Sequence, residues 1–289
     1  MPVRPVRPVR PVMTVDSFTM FVEGLDHPEC VSWGPDGFLY AGGEAGQIYR
    51  ITLDGETTQI ATTDGFILGV CLDAHANVFA CDPGNGAVMR ISPEGAVSRY
   101  SNVPLINPNY PVFDRVGNLY VSDSGGWHAN NGRLFVIRPG GETLLIDDTV
   151  AAFPNGLALN APESYLYVAL STLPGVVRVP VLNGTVVGPS ELVVRTPRAV
   201  PDGLAFDEEG TLYISCYTPD VIYRLRPGGA LETLSEDGER VTLASPTNLS
   251  FAGPDRKTLV VANLGRWHLS KAEMNVAGQP YSYPTLALS

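Results

Sequence analysis

The chain has 289 residues, a net charge of −11 and 44% hydrophobic content, enough apolar mass for one large domain or two average ones. The acidic balance excludes a nucleic-acid groove, which needs clustered Lys and Arg to meet phosphates. No run of about 18 apolar residues offers a membrane-spanning helix.

The opening MPVRPVRPVRPV repeats Pro, Val and Arg without the apolar stretch of a secretory signal. Pro at every third position suits an extended, solvated segment. Residues 1–15 are therefore expected to be a disordered or appended tail, and 16–289 a single domain. Cys30, Cys71, Cys81 and Cys216 form no CxxC pair. They read as mostly buried thiols of a cytoplasmic protein, although Cys71 and Cys81 could face each other across a hairpin.

From Pro28 onward one unit recurs six times. Its copies open on PECVSW (Pro28), LGVCLD (Leu68), PNYPVFD (Pro108), PNGLAL (Pro154), PDGLAFD (Pro201) and PTNLSF (Pro246), about 39 to 47 residues apart, the length of a four-stranded propeller blade. Each opening strand leads through a turn such as GPDG, DRVGN or DEEG into a second, such as LYVSD, YLYVAL or LYISC. A third follows, such as GQIYRIT or DVIYRLR, then a Gly-bearing turn and a short fourth. Strands rich in Val, Ile, Leu and Tyr between Gly and Asp turns are hairpin signals. The reading is all-β: a six-bladed β-propeller with four-stranded blades. The last copy lacks a fourth strand, whereas Asp16–Leu25 precedes the first copy without a partner. That N-terminal segment is predicted to complete the last blade, closing the ring and protecting its edges.

In a propeller the first strand of each blade lies nearest the central channel, so equivalent positions form a ring. The ring containing Asp202 comprises Glu29, Leu68, Asn109, Asn155, Asp202 and Thr247. Four of these carry side-chain carbonyl or carboxylate oxygens, and all four follow a proline (Pro28, Pro108, Pro154, Pro201). Two carboxylates and two amides suit a hard divalent cation. Calcium leads, because it takes six to eight oxygen ligands; magnesium, manganese and zinc are the alternatives, with zinc disfavoured by the lack of Cys and His. A plainer explanation serves Asn155-Gly156 and Asp202-Gly203, since Asn or Asp before Gly is a common turn pair. Glu29 and Asn109 have no following Gly, and the turn does not explain them.

HPECVSW, NPNYPVFDRVGNLYVSD, FPNGLAL, VPDGLAFDEEGTLYIS and SPTNLSFAGPDRKTLVVA together resemble the SMP-30/gluconolactonase/luciferin-regenerating-enzyme family, over nearly the whole chain from about Ser17. The resemblance implies an axial divalent metal held by Glu29, Asn109, Asn155 and Asp202, and hydrolysis of lactones. On that footing the metal polarises the lactone carbonyl and Asp202 serves as general base. Sugar-lactonase members often carry Arg and Asp where this chain has Asn107 and Tyr110, which argues against a polyhydroxylated sugar-acid lactone and for a more apolar wall. Trp127-His128 and Trp267-His268 stand in the second-to-third strand connections of blades three and six. Trp127, His128 and His268 are expected to wall the pocket, or else to anchor loops. A related esterase or organophosphate hydrolase would use the same cation, and a non-catalytic ligand-binding propeller would keep calcium as a structural pin. The expected partner is a small lactone or ester, with no nucleic acid or membrane; oligomeric state is left open.

Overall fold

The computed structural model describes residues 11–286. Six antiparallel sheets are arranged as blades, and the first strands of neighbouring blades touch one another all the way round the ring. Those inner strands are Ser32–Trp33, Val70–Leu72, Pro108–Phe113, Pro154–Leu159, Val200–Phe206 and Pro246–Ala252. The second strands (Leu39–Gly42, Val78–Asp82, Leu119–Asp123, Tyr165–Leu170, Leu212–Thr218 and Thr258–Asn263) are almost wholly buried. The outer strands carry the exposed Thr, Gln, Arg and Glu, the expected inside-to-outside gradient of a radial sheet. Blade four adds a two-residue strand, Thr185–Val186.

The apolar core is divided into six clusters, each filling the gap between two adjacent blades. Tyr213, Ile222 and Leu234 of blade five pack on Leu249, Phe251 and Leu259 of blade six. Phe79 and Val88 of blade two likewise pack on Leu119 and Phe135 of blade three. Both faces of a blade are thus buried, so these strands read as apolar runs rather than strict alternation.

Closure occurs as expected: Thr19–Val22 pairs with His268–Glu273 and completes blade six. The Pro-Val-Arg repeat lies outside the described residues up to Arg10. Of the rest of the expected tail, Val12 and Met13 donate backbone hydrogen bonds to Thr233 and Leu234 of blade five, so the chain joins the propeller ahead of residue 16. All four cysteines are free thiols. No helix among the described residues is long and apolar enough to cross a membrane.

A feature with no periodic signature is the segment after the last strand. Residues 274–286 cross the face formed by the first-to-second strand turns. Gln279 N–H bonds to Phe206 O, Tyr283 Oη to Trp33 O at 2.6 Å, and Ala74 N–H to Pro284 O. The strap covers one end of the central channel and leaves the other open.

Candidate metal centre

Four inner strands carry a β-bulge at the ring position. The pairing register shifts between Pro108 and Tyr110, Pro154 and Leu157, Pro201 and Leu204, and Pro246 and Asn248. A bulge frees one residue from the ladder and re-aims its side chain. Asn109, Asn155 and Asp202 thereby turn toward the axis. Glu29 enters from the segment just ahead of the blade-one strand, which is fixed to blade six by Val31 N–H to Asn248 Oδ1 (3.3 Å) and Trp33 N–H to Ser250 Oγ (3.1 Å).

The turn explanation for the two Asx-Gly pairs fails, because both lie within strands. Their glycines answer a different demand. Neighbouring inner strands run so close that a Cβ on Gly203 would stand 2.6 Å from Thr247 O. Serines of the second strands stitch the same junctions: Ser122 Oγ donates to Asn155 O, Ser171 Oγ to Pro201 O and Ser215 Oγ to Thr247 O, at 2.7 to 2.9 Å.

Glu29, Asn109, Asn155 and Asp202 all line one cavity of about 330 Å³ at the open end of the channel. Leu68 lines it too, whereas Thr247 is fully buried with its hydroxyl on Ala262 O. A smaller cavity of about 110 Å³ is lined in part by the strap residues Gln279 to Ser282; Tyr110 borders both.

The electrostatics are lopsided. Burial, and then the charge of Glu44, push the Glu29 carboxyl up to about 7. Burial, and then the charge of Glu29, push the Asp202 carboxyl well above the usual range. Among the described residues no Lys, Arg or His lines the cavity, and none donates a hydrogen bond that offsets the desolvation of either carboxyl. Asn155 spends an amide hydrogen on Ser171 Oγ at 3.3 Å, leaving its carbonyl oxygen as a donor. Both carboxyl side chains are half-buried; carboxylates drawn partly out of water without counter-charge are costly, and a hard cation relieves that cost. Among the described residues no three His, Cys, Asp or Glu side chains converge; the set is two carboxylates and two amides, which fits an oxygen-seeking cation better than zinc.

Of the expected wall residues, Asn107, Tyr110 and Trp127 line the cavity. His128 is exposed and does not, its ring lying 6.4 Å from that of Trp127. His268 requires a correction: it belongs to the third strand of blade six, not to a connection. It is 1% exposed, with Nε2 against Thr242 O at 3.0 Å, and it anchors a loop. Trp267 packs on His27 at 5.7 Å, away from the cavity.

The repeat pattern did not single out Phe66, Phe153, Tyr217, Asn248 or Leu264, all of which line the cavity. Tyr217 and Leu264 occupy one repeat position, directly after Cys216 and Asn263 of the second strands, and the same offset in blade four gives Ser171. That equivalence was available from the alignment. Burial, and then the charges of Asp202 and Glu29, raise the Tyr217 phenol, which marks its closeness to both. Phe153 has φ 54, although the residue before a proline favours extended backbone and bulky residues avoid this region. His27 and Ser245, each before the proline of its own blade, share this backbone, so it belongs to the repeat. Here it sets the Phe153 ring against Trp127, centroids 4.7 Å apart.

The family model described as SMP-30/gluconolactonase/LRE-like region matches residues 100–264, more than half of the chain. A strictosidine synthase-like N-terminal model matches residues 19–51. A gluconolactonase of Zymomonas mobilis is 26% identical over 186 residues, 56% of this chain and 51% of that protein, so the match spans about half of that relative's length. Three solved structures share the fold. A gluconolactonase from Xanthomonas campestris has a TM-score of 0.75 at 18% identity, covering 91% of this chain and 89% of its own. The calcium-binding protein regucalcin from Agrobacterium tumefaciens has 0.75 at 15%, covering 97% and 100%. A luciferin-regenerating enzyme has 0.76 at 16%, covering 91% and 97%.

Proposed function

Because the chain belongs to the SMP-30/gluconolactonase/LRE-like family, we propose that it is a metal-dependent hydrolase that opens lactone rings at the open end of its central channel. The observation that carries this reading is the convergence of two half-buried carboxylates and two buried amides, from four different blades, on a cavity without a protein counter-charge among the described residues. A scaffold has no need to bury such a pair beside an open cavity.

Glu29, Asn109, Asn155 and Asp202 would hold the ion, and a divalent cation there supplies Lewis-acid polarisation of a carbonyl oxygen. Asp202 acts as general base. Water adds to the lactone carbonyl carbon as its proton passes to the Asp202 carboxylate. The ring C–O bond then breaks, and the departing oxygen takes that proton. Asn109 and Asn155 orient the ion and the substrate. Trp127 and Phe153 at the mouth limit the water that reaches the reacting carbonyl.

The test is a panel of lactones, aryl esters and organophosphates, assayed before and after chelation and again after calcium is restored. Lactone opening that disappears on chelation with an unchanged circular dichroism spectrum, and returns with calcium, supports the reading. Preferential cleavage of an ester or organophosphate replaces it with the neighbouring hydrolase chemistry. A second reading, a non-catalytic propeller pinned by calcium, is favoured by the likeness to regucalcin. It requires that chelation unfold the protein and that no substrate turn over.

A further inference from the structure

We propose that the substrate is an uncharged lactone bearing an apolar alkyl or aryl substituent, seated in an aromatic wall above the metal centre, rather than a polyhydroxylated sugar-acid lactone. This rests on the lactone-hydrolase reading above and narrows it.

The wall consists of Phe66, Leu68, Trp127, Phe153, Tyr217 and Leu264, drawn from four connections and the end of the second strand of blade five. Trp127 lies edge-on to Phe153 at 4.7 Å and to Tyr217 at 6.3 Å. The three rings make one continuous apolar surface. Trp127 nevertheless remains 38% exposed, apolar surface in water that an apolar ligand would favourably cover.

The polar inventory points the same way. Beyond the four residues proposed to hold the ion, the side-chain polar groups offered to the cavity among the described residues are Asn107, Asn248, the phenols of Tyr110 and Tyr217, and the Trp127 indole N–H. Asn107 spends an amide hydrogen on Gly125 O at 3.2 Å. Asn248 accepts Val31 N–H at 3.3 Å. Among the described residues no Ser, Thr, Lys, Arg or His lines the cavity. A sugar-acid lactone would bring several hydroxyls into this space with too few partners, and each unpaired buried hydroxyl weakens binding. A methylene entering it gains about fourfold, equivalent to about 0.8 kcal/mol.

The experiment follows two readouts on the calcium-loaded protein. One is kcat/KM for γ-lactones whose side chain is lengthened one methylene at a time, with glucono-δ-lactone alongside. The other is calorimetric affinity for cyclopentanones alkylated beside the carbonyl, which cannot be hydrolysed. Both quantities are expected to rise about fourfold per methylene until the cavity of about 330 Å³ is filled, with gluconolactone a poor substrate. Trp127→Ala is expected to flatten both slopes, and the conservative Trp127→Phe to restore them. Flat slopes, or gluconolactone preferred over alkyl lactones, overturn the substrate class while any lactone turnover keeps the hydrolase reading. A rising ketone slope with no lactone opened leaves the apolar wall standing and overturns the hydrolase reading instead.

Discussion

A methyl group placed on Gly156 would stand 2.3 Å from the backbone oxygen of Asp202. The inner strands of blades four and five touch at the point where each delivers a proposed ion ligand, Asn155 and Asp202. Gly156→Ala must therefore push the strands apart, at a cost of about 1–3 kcal/mol. It should lower both the melting temperature and calcium affinity. Gly238→Ala is the control, because a Cβ there meets nothing within 4 Å, and it should leave both readings essentially unchanged.

Asp202→Asn removes one of the two half-buried carboxylates that line the cavity. Turnover should fall by a factor of about a hundred to ten thousand, the usual worth of a general base. The metal-free variant should melt higher than metal-free wild type, because the repulsion from Glu29 is gone. Calcium should no longer raise its melting temperature. Differential scanning calorimetry with and without calcium reads the stability effects, and lactone kinetics the catalytic one.

Ser171 supports the site from behind. Its hydroxyl accepts from Asn155 Nδ2 at 3.3 Å and donates to Pro201 O at 2.9 Å. Ser171→Ala should cost about 1–2 kcal/mol, the worth of lost buried hydrogen bonds. It should also weaken calcium binding by freeing the Asn155 amide. Equal affinity in the variant, measured by calorimetry, would show that the amide is held by other means.

Away from the site, Asp237 accepts backbone N–H groups of Glu239, Arg240, Val241, Thr242 and Leu243 at 2.8 to 3.0 Å. Burial alone would push its carboxyl up, but these donors outweigh it and hold the carboxyl below the usual range. A carboxylate depressed on folding stabilises the protein above its unfolded value, about 3.9, and that contribution is lost as pH falls through the folded value. Asp237→Asn should therefore destabilise by about 1–3 kcal/mol at neutral pH. The gap from wild type should close below about pH 4. Melting curves across that range check it.

The blades were legible because each repeats the same punctuation. Gly and Asp turns separate apolar strands, and the proline before each donor fixes the frame. The propeller ring then converts equal repeat positions into neighbours, so Glu29 and Asn109 could be paired across 80 residues of sequence. The pocket wall was harder to read. Phe153 lies two residues before Asn155 but looks like any core aromatic, and even its left-handed backbone is shared with His27 and Ser245 at the same repeat position. His268 looked chemical because of its type, yet the register Asn263↔His268 places it inside a strand. The strap at 274–286 has no repeat partner and no alternation. Its place is set by scattered long-range bonds such as Tyr283 to Trp33, which local pattern does not encode.

Calorimetric titration of chelator-treated protein with calcium tests the centre most directly. The expected result is one ion bound per chain in wild type, a matching rise in stability of about 2.7 kcal/mol at a hundredfold excess over Kd, and no binding in Glu29→Gln or Asp202→Asn. An absence of binding in wild type, or undiminished binding in both variants, would contradict a cation held by these four side chains.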